Sequence, residues 1–241
     1  MMSMRLDRFL SATGVSSRSE APRIIKKGRI TVNGVAAKRP DDRVDPDADE
    51  ICLDGNPIIY REHTYIMLNK PQGYVSATED RGLPTVLELL PPELRRGLFP
   101  SGRLDRDTVG LMLLTDDGEL SHFLLSPVSH LPKTYFFRCE SPLSEENAER
   151  LRGGVELNGD GMTKPAELTL SDTGTEGQIT ITEGRYHQIK RMFAAVGNRI
   201  TYLRRMSIGE LSLDMSLPEG EWRFLTDEEI ASLRKYDRNR K

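Results

Sequence analysis

The sequence predicts an α+β protein in two parts: a small basic N-terminal module over residues 1–58, and a larger domain over 59–241 built on a mixed, mainly antiparallel sheet with flanking helices. Three observations support this. Charge is segregated near the N-terminus. Beyond residue 60, strand-like runs outnumber helical ones and do not alternate strictly with them. No fixed-period repeat or low-complexity tract is present, and 241 residues suffice for one substantial core plus a small module.

The elements of the first module can be read in order. Leu6, Phe9 and Leu10 in "MRLDRFLSATG" have helical spacing that stops at Gly14. "SSRSEAPRIIKKG" reads as a second short helix with Ser16 or Ser17 as cap and Gly28 as stop, although Pro22 lacks a backbone donor and must kink it or move its start. "RITVNGVAA" then alternates about Asn33-Gly34, a two-residue hairpin signal. Residues 1–40 hold nine Lys or Arg against two acids, about +7. The following "DDRVDPDADEICLD" holds seven acids and one Arg, so the net charge of −3 hides a basic module beside an acidic connector. Arg5, Arg18, Lys26, Lys27 and Arg29 would present a basic face to phosphates. Two helices, a hairpin and this face, over roughly residues 4–55, resemble the S4 RNA-binding domain.

"DGNPIIYREHTY" reads as a linker, with turn signals at Asp54-Gly55 and Pro57. Beyond it, "TYIMLNK", "VGLMLLT", "KTYFFRCE", "AELTLSD" and "GQITITEG" read as strands. "GELSHFLLS", "SEENAERLRGG", "YHQIKRMFAAVG" and "TDEEIASLRKY" read as helices, and the basic "RKYDRNRK" as a frayed tail. No 18-residue apolar run is present, so no membrane partner is expected. "MMSMRLDRFL" lacks the apolar stretch of a secretory leader, and Cys52 and Cys139 lack ligand spacing. The expectation is a cytoplasmic monomer with neither metal nor cofactor.

One stretch does not fit a simple core: "GRLDRDTVGL", residues 102–111, places Arg103, Asp105, Arg106 and Asp107 immediately before an apolar run. The longer string "GRLDRDTVGLMLLTDDGEL" closely resembles the motif "GRLDxxTxGLLLLTnDG" of the RsuA-type pseudouridine synthases, whose one catalytic aspartate maps to Asp105. "MLNKPQGYVSA", "KTYFF", "EGRYHQIKRMFAAVGNRI" and "YLRRMSIGEL" resemble further motifs of that family, so the likeness covers nearly the whole chain. The stretch carrying His187 and Lys190 is similar to the small-subunit branch, where large-subunit relatives tend toward "NRQVRRM". That likeness implies 16S rRNA as partner, as RNA or as an assembling particle, and uridine 516 as target.

The resemblance also implies the chemistry. Uridine becomes pseudouridine when the N1–C1′ bond breaks, the uracil turns, and it rejoins through C5, with no redox step and no external group. An ionised carboxylate is required, whether it attacks C1′, attacks the ring or removes the C2′ proton. Burial raises a carboxylate's pKa and a nearby cation lowers it again. By resemblance that cation is Lys190, Tyr135 stacks on a flipped-out base, Leu203 forms an apolar wall, Arg103 orients the loop, and Arg191 meets phosphate or structure. A non-catalytic S4-type assembly protein would leave the long motif unexplained. A synthase acting on 23S rRNA stands as the other alternative. A glycoside hydrolase would need a second carboxylate, for which Asp107, Asp116 and Asp117 are the candidates.

Overall fold

Gly14 and Gly28 stop two short helices as the sequence predicts, and the hairpin after them turns at Asn33-Gly34. The structure, a computed structural model, describes residues 3–58, 60, 62–126 and 128–238. It divides into two compact units, residues 1–63 and 64–241.

In the first unit, β1 (Met4–Arg5) leads into α1 (Leu6–Ala12), which buries Leu6, Phe9 and Leu10. The chain leaves α1 through Gly14 at φ +72°, a conformation glycine adopts without a Cβ clash. α2 (Ala21–Lys26) starts later than its serines suggest. Pro22 sits in its first turn, where a missing N–H costs nothing, and Ser17 is bonded to Glu20 in a separate turn before it. β2 (Ile30–Val32) and β3 (Val35–Ala36) form the hairpin, with Asn33 and Gly34 at φ +52° and +78° as a type I′ turn requires. The acidic stretch is not a connector: β4 (Arg43–Val44) pairs with β1, and β5 (Ile51–Leu53) pairs with β2. Nor is "DGNP" a linker, because β6 (Asn56–Pro57) returns on β5 around Asp54-Gly55.

The second unit is organised on a nine-stranded sheet. Its strands are β7 (Tyr65–Lys70), β8 (Phe99–Pro100), β9 (Val109–Thr115), β10 (Lys133–Cys139), β13 (Glu167–Leu170), β14 (Glu176–Ile181), β15 (Ile200–Ile208), β16 (Leu211–Ser212) and β17 (Trp222–Phe224), with a separate hairpin of β11 (Glu156–Leu157) and β12 (Gly161–Met162). The order is β13-β14-β10-β15-β9-β7-β17, with β16 on β15 and β8 on β9. Only β15 and β9 run parallel, so the sheet is mixed and mainly antiparallel. Helices α3 (Gly118–Leu125) and α6 (Asp227–Arg238) belong to one side, and α4 (Glu145–Gly153) and α5 (Gln188–Ala195) to the other.

β9 is an inner strand, between β15 and β7, and is buried along its whole length. Leu111 and Leu113 join the core beneath α3 and α6, while Met112 and Leu114 join the one beneath α4 and α5. Burial on both faces explains the unbroken apolar run. α6 continues through Arg238, so most of the expected frayed tail is helical; its last three residues lie outside the described ones.

Strands β9 and β15 meet at Gly110, where φ is +98° and an added Cβ would lie 2.4 Å from the Arg205 carbonyl oxygen. Gly110→Ala therefore adds backbone strain to a main-chain clash. It should lower unfolding free energy by roughly 2–5 kcal/mol, measured by denaturant unfolding beside Gly118→Ala, whose Cβ position is open.

Candidate active site

The charged residues before β9 form a tight turn in which the Thr108 N–H donates to the Asp105 carbonyl at 3.1 Å. Leu104 anchors it, 7% exposed in the larger core, with its N–H and C=O both bonded to the Ser76 hydroxyl at 2.9 and 2.8 Å. The Gly73 N–H donates to the Arg106 carbonyl at 2.9 Å.

Lys70 closes the turn from behind. It is fully buried at the end of β7, and its Nζ donates to the carbonyls of Thr108 (2.9 Å), Asp105 (3.1 Å), Pro71 (3.1 Å) and Arg106 (3.3 Å). Burial pulls this ammonium down to about 8, while Asp107 and Asp105 oppose the fall. It is still charged at pH 7, as four carbonyl acceptors require.

With its main chain fixed, Asp105 offers its side chain to α5. Lys190 Nζ lies 2.9 Å from Asp105 Oδ2, and His187 Nε2 lies 3.3 Å from Oδ1. Asp105 and Lys190 each keep 25% of their side chain exposed, so the pair is covered but open to a ligand. Lys190 also reaches Asp107 Oδ1 at 2.5 Å, where the carboxylate is 67% exposed. Burial would lower the Lys190 ammonium, but its hydrogen bonds to the two carboxylates outweigh this and hold it above the usual lysine value. Asp107 shows the counterpart: burial pushes it up, and the Lys190 bond brings it below the ordinary aspartate range.

Tyr135 and Leu203, 8% and 6% exposed, lie in the same core cluster as Leu104, beside Ile189 and Met192 of α5. Tyr135 pairs in register with Arg205 on β15. On the same strand as Tyr135, Lys133 donates to the Leu131 carbonyl at 3.1 Å, and burial, with Arg205 nearby, lowers it to about 8. Arg205 is itself buried, its Nε donating to the Leu111 carbonyl at 2.7 Å.

The remaining candidates fall as follows. Arg103 is exposed and bonds to none of the described residues, so the loop-orienting task expected of it falls to Lys70. Arg191 is occupied structurally, paired with Asp160 and donating to the carbonyls of Asn158 (3.0 Å) and Tyr186 (3.2 Å). Asp116 and Asp117 lie past the far end of β9, about 20 Å of strand from the turn. There Asp116 accepts from the Thr64 N–H and Asp117 caps α3 through the Leu120 N–H. Sequence reasoning misses Lys70, though it stands inside the quoted "MLNKPQGYVSA".

The basic face of the first unit is partly self-neutralised. Arg5 pairs with Asp7 and Arg29 with Asp54, whereas Arg18, Lys26 and Lys27 are exposed and unpaired among the described residues. A cleft of about 430 Å³ in this unit is lined by Arg5, Arg8, Arg18 and Arg43, together with Ser3, Met4 and Asp7.

A cation-paired aspartate on a tight turn at the end of a mixed sheet, in a chain that also carries a basic helical module, points to an RNA-directed enzyme class. Comparison with known proteins specifies it: residues 64–195 match the family described as RNA pseudouridylate synthase, residues 4–51 match the S4 domain, and the chain belongs to the RNA pseudouridylate synthase family. It is 47% identical over 232 residues to ribosomal small subunit pseudouridine synthase A of Escherichia coli (strain K12), covering 95% of this chain and 100% of that one. It is 49% identical to an RNA pseudouridine synthase of Bacillus subtilis (strain 168) described as uncharacterized, covering 94% and 97%. A crystal structure of a pseudouridylate synthase superposes with a TM-score of 0.68 at 40% identity, covering 95% and 99%. The protein is thus an isomerase that forms pseudouridine in RNA.

Lys70→Met leaves the carbonyls of a buried turn without their shared donor, at about 1–3 kcal/mol for each group left unpaired. Lys70→Met should therefore lower the unfolding free energy, with RNA affinity little changed. The folded-state pKa of Lys70 lies below its unfolded value, so between about 8 and the unfolded lysine range the unfolded chain binds more protons. The stability of wild type relative to Lys70→Met should therefore rise with pH across that window, read by urea unfolding.

Proposed function

We propose that the protein converts one uridine of ribosomal RNA, uridine 516 of 16S rRNA, to pseudouridine, with Asp105 as the catalytic carboxylate. The observation that carries this reading is the contact between Asp105 and Lys190, 85 positions apart in sequence and 2.9 Å apart in space, on a turn held by main-chain bonds. The choice of 16S rRNA is supported by full-length likeness to a relative named for the small subunit.

In this reading the target base leaves its stack, because a base within paired RNA offers its glycosidic bond to no side chain. Tyr135 takes the face of the uracil and Leu203 lines the wall beside it. Lys190 sets its ammonium 2.9 Å from the Asp105 carboxylate. The carboxylate then acts at the ribose or the base while the N1–C1′ bond breaks and the C5–C1′ bond forms; the C5 proton leaves last. The protein acts as a cytoplasmic monomer, and Arg18, Lys26 and Lys27, together with Arg5 and Arg29, hold phosphates of the RNA.

Asp105→Asn should abolish pseudouridine formation while leaving the fold and RNA affinity intact. Asp107→Asn should cost no more than several-fold, because its carboxylate is largely exposed and Lys190 keeps Asp105 as partner. Lys190→Met should lose activity severely, because it removes the cation 2.9 Å from the Asp105 carboxylate. The measurement is chemical labelling and primer extension across 16S and 23S rRNA from cells with and without the gene, complemented by each variant. Turnover by Asp105→Asn at the wild-type rate would overturn the assignment, and a missing label in 23S rather than 16S rRNA would move the target.

Replacing Arg18, Lys26 and Lys27 together by Ala should weaken RNA binding and flatten its salt dependence, by about 0.7–0.9 in the log–log slope for each phosphate no longer neutralised. An unchanged slope in filter-binding titrations would show that this face does not touch RNA.

A further inference from the structure

Beside Asp105 lies an aromatic surface that the chemistry described above does not use. Tyr186 is 72% exposed, and its ring lies flat on that of His187, with centroids 3.8 Å apart and planes 19° apart. The His187 ring and the Tyr186 main chain are each tied to neighbouring residues. His187 stands at φ +49°, a left-handed conformation uncommon outside glycine, with Nε2 3.3 Å from the Asp105 carboxylate. The Tyr186 carbonyl accepts from Arg191, whose guanidinium is itself paired with Asp160 and bonded to Asn158 in the turn between β11 and β12. The outer ring face meets no other aromatic ring among the described residues, and its hydroxyl is bonded to none of them.

An exposed aromatic ring with two χ angles, already stacked on a second ring, loses little conformational entropy when something flat is laid upon it. The surroundings select the occupant. Asp105 must reach the ribose or base of the target uridine, so the neighbouring nucleotide of the same strand passes the rim of the site where Tyr186 stands. Arg103 and Arg106, exposed on the Asp105 turn and bonded through their side chains to none of the described residues, supply cations for the phosphates between the two nucleotides. Tyr135, 8% exposed within the core cluster, has no face for a second base.

We infer that Tyr186 is a stacking platform for a nucleobase adjacent to the target uridine, held flat by His187, and that this contact contributes to the choice of site. The inference rests on the reading of Asp105 as the catalytic carboxylate. Base–aromatic stacking tolerates any base, so the platform would favour an unpaired neighbour over a particular letter.

The test uses the full-length protein and an RNA fragment containing the target uridine, intact or with an abasic nucleotide on its 5′ or 3′ side. Dissociation constants and pseudouridine yield are measured for wild type, Tyr186→Ala and Tyr186→Phe. Tyr186→Ala should weaken binding of intact RNA about tenfold and change kcat less than about twofold, whereas Tyr186→Phe should match wild type. On one of the two abasic RNAs wild type should lose the same factor, and Tyr186→Ala should show no further loss. An equal penalty for Tyr186→Ala on all three RNAs, a fall in kcat without a change in binding, or no penalty at all would overturn the platform. Binding is read without turnover, so the two readings fail separately: the expected binding pattern without pseudouridine would overturn the catalytic reading alone.

Discussion

Four main-chain carbonyls, of Pro71, Asp105, Arg106 and Thr108, converge on the ammonium of Lys70, which is sealed from solvent behind them. A buried cation without acceptors is costly, and burial indeed drags this one down to about 8. The charge is therefore tolerable only while the turn stays closed around it, and the turn stays closed because the charge is there. Gly73 and Ser76, a few residues after Lys70, add main-chain bonds to Arg106 and Leu104. The segment "KPQGYVS" acts as a clamp on "LDRDT", which gives a physical reason for the two motifs to occur together. The charges that look misplaced before an apolar strand are there because the turn's main chain faces inward and its side chains face out.

That turn is rigid only because the strand behind it is. β9 carries Leu111 and Leu113 into one core and Met112 and Leu114 into the other, so displacing it would disturb both layers. Its parallel contact with β15 is short, Arg204 to Val109 and Arg205 to Gly110. It sits next to the turn, at the point where Gly110 lets the two main chains approach. On its other side β15 pairs antiparallel with β10, which sets Arg205 opposite Tyr135 and Leu203 opposite Phe137; the proposed base-stacking ring and apolar wall share a core cluster with Leu104.

Hydrophobic period reads well where it is long. "VGLMLLT" is β9 residue for residue, and the helices over Gly118–Leu125 and Gln188–Ala195 fall within their predicted stretches. It fails where strands are short or charged. β15 is not legible as a strand because "ITYLRRMSI" interrupts its apolar residues with two arginines, one of which, Arg205, is buried through a bond to a carbonyl no pattern records. The β5–β6 hairpin has two or three residues per arm, too few for alternation to show, so its turn signal reads as a linker. At the site, Asp105 and Lys190 are legible through motif likeness. Lys70 is not, because all of its bonds go to the main chain and "NKPQG" has the composition of a surface turn. Arg103, two positions before Asp105, attracts the role that a strand residue 33 positions earlier fills.

Two cations thus serve the turn in different ways. Lys70 acts on main-chain dipoles from the dry side and sets where the turn is. Lys190 acts on carboxylates from the open side, and its charge is secure because two acids outweigh the burial that opposes it. Sharing Lys190 with Asp107 has a consequence for Asp105. An ammonium committed to one carboxylate in a covered site would make a strong, closed pair, with few lone pairs left for a substrate. Here the shorter contact goes to the exposed Asp107 and the longer one to Asp105, so the ammonium is already drawn toward the solvent side. Asp105 thus keeps a cation 2.9 Å from one carboxylate oxygen, while His187 borders the other at 3.3 Å.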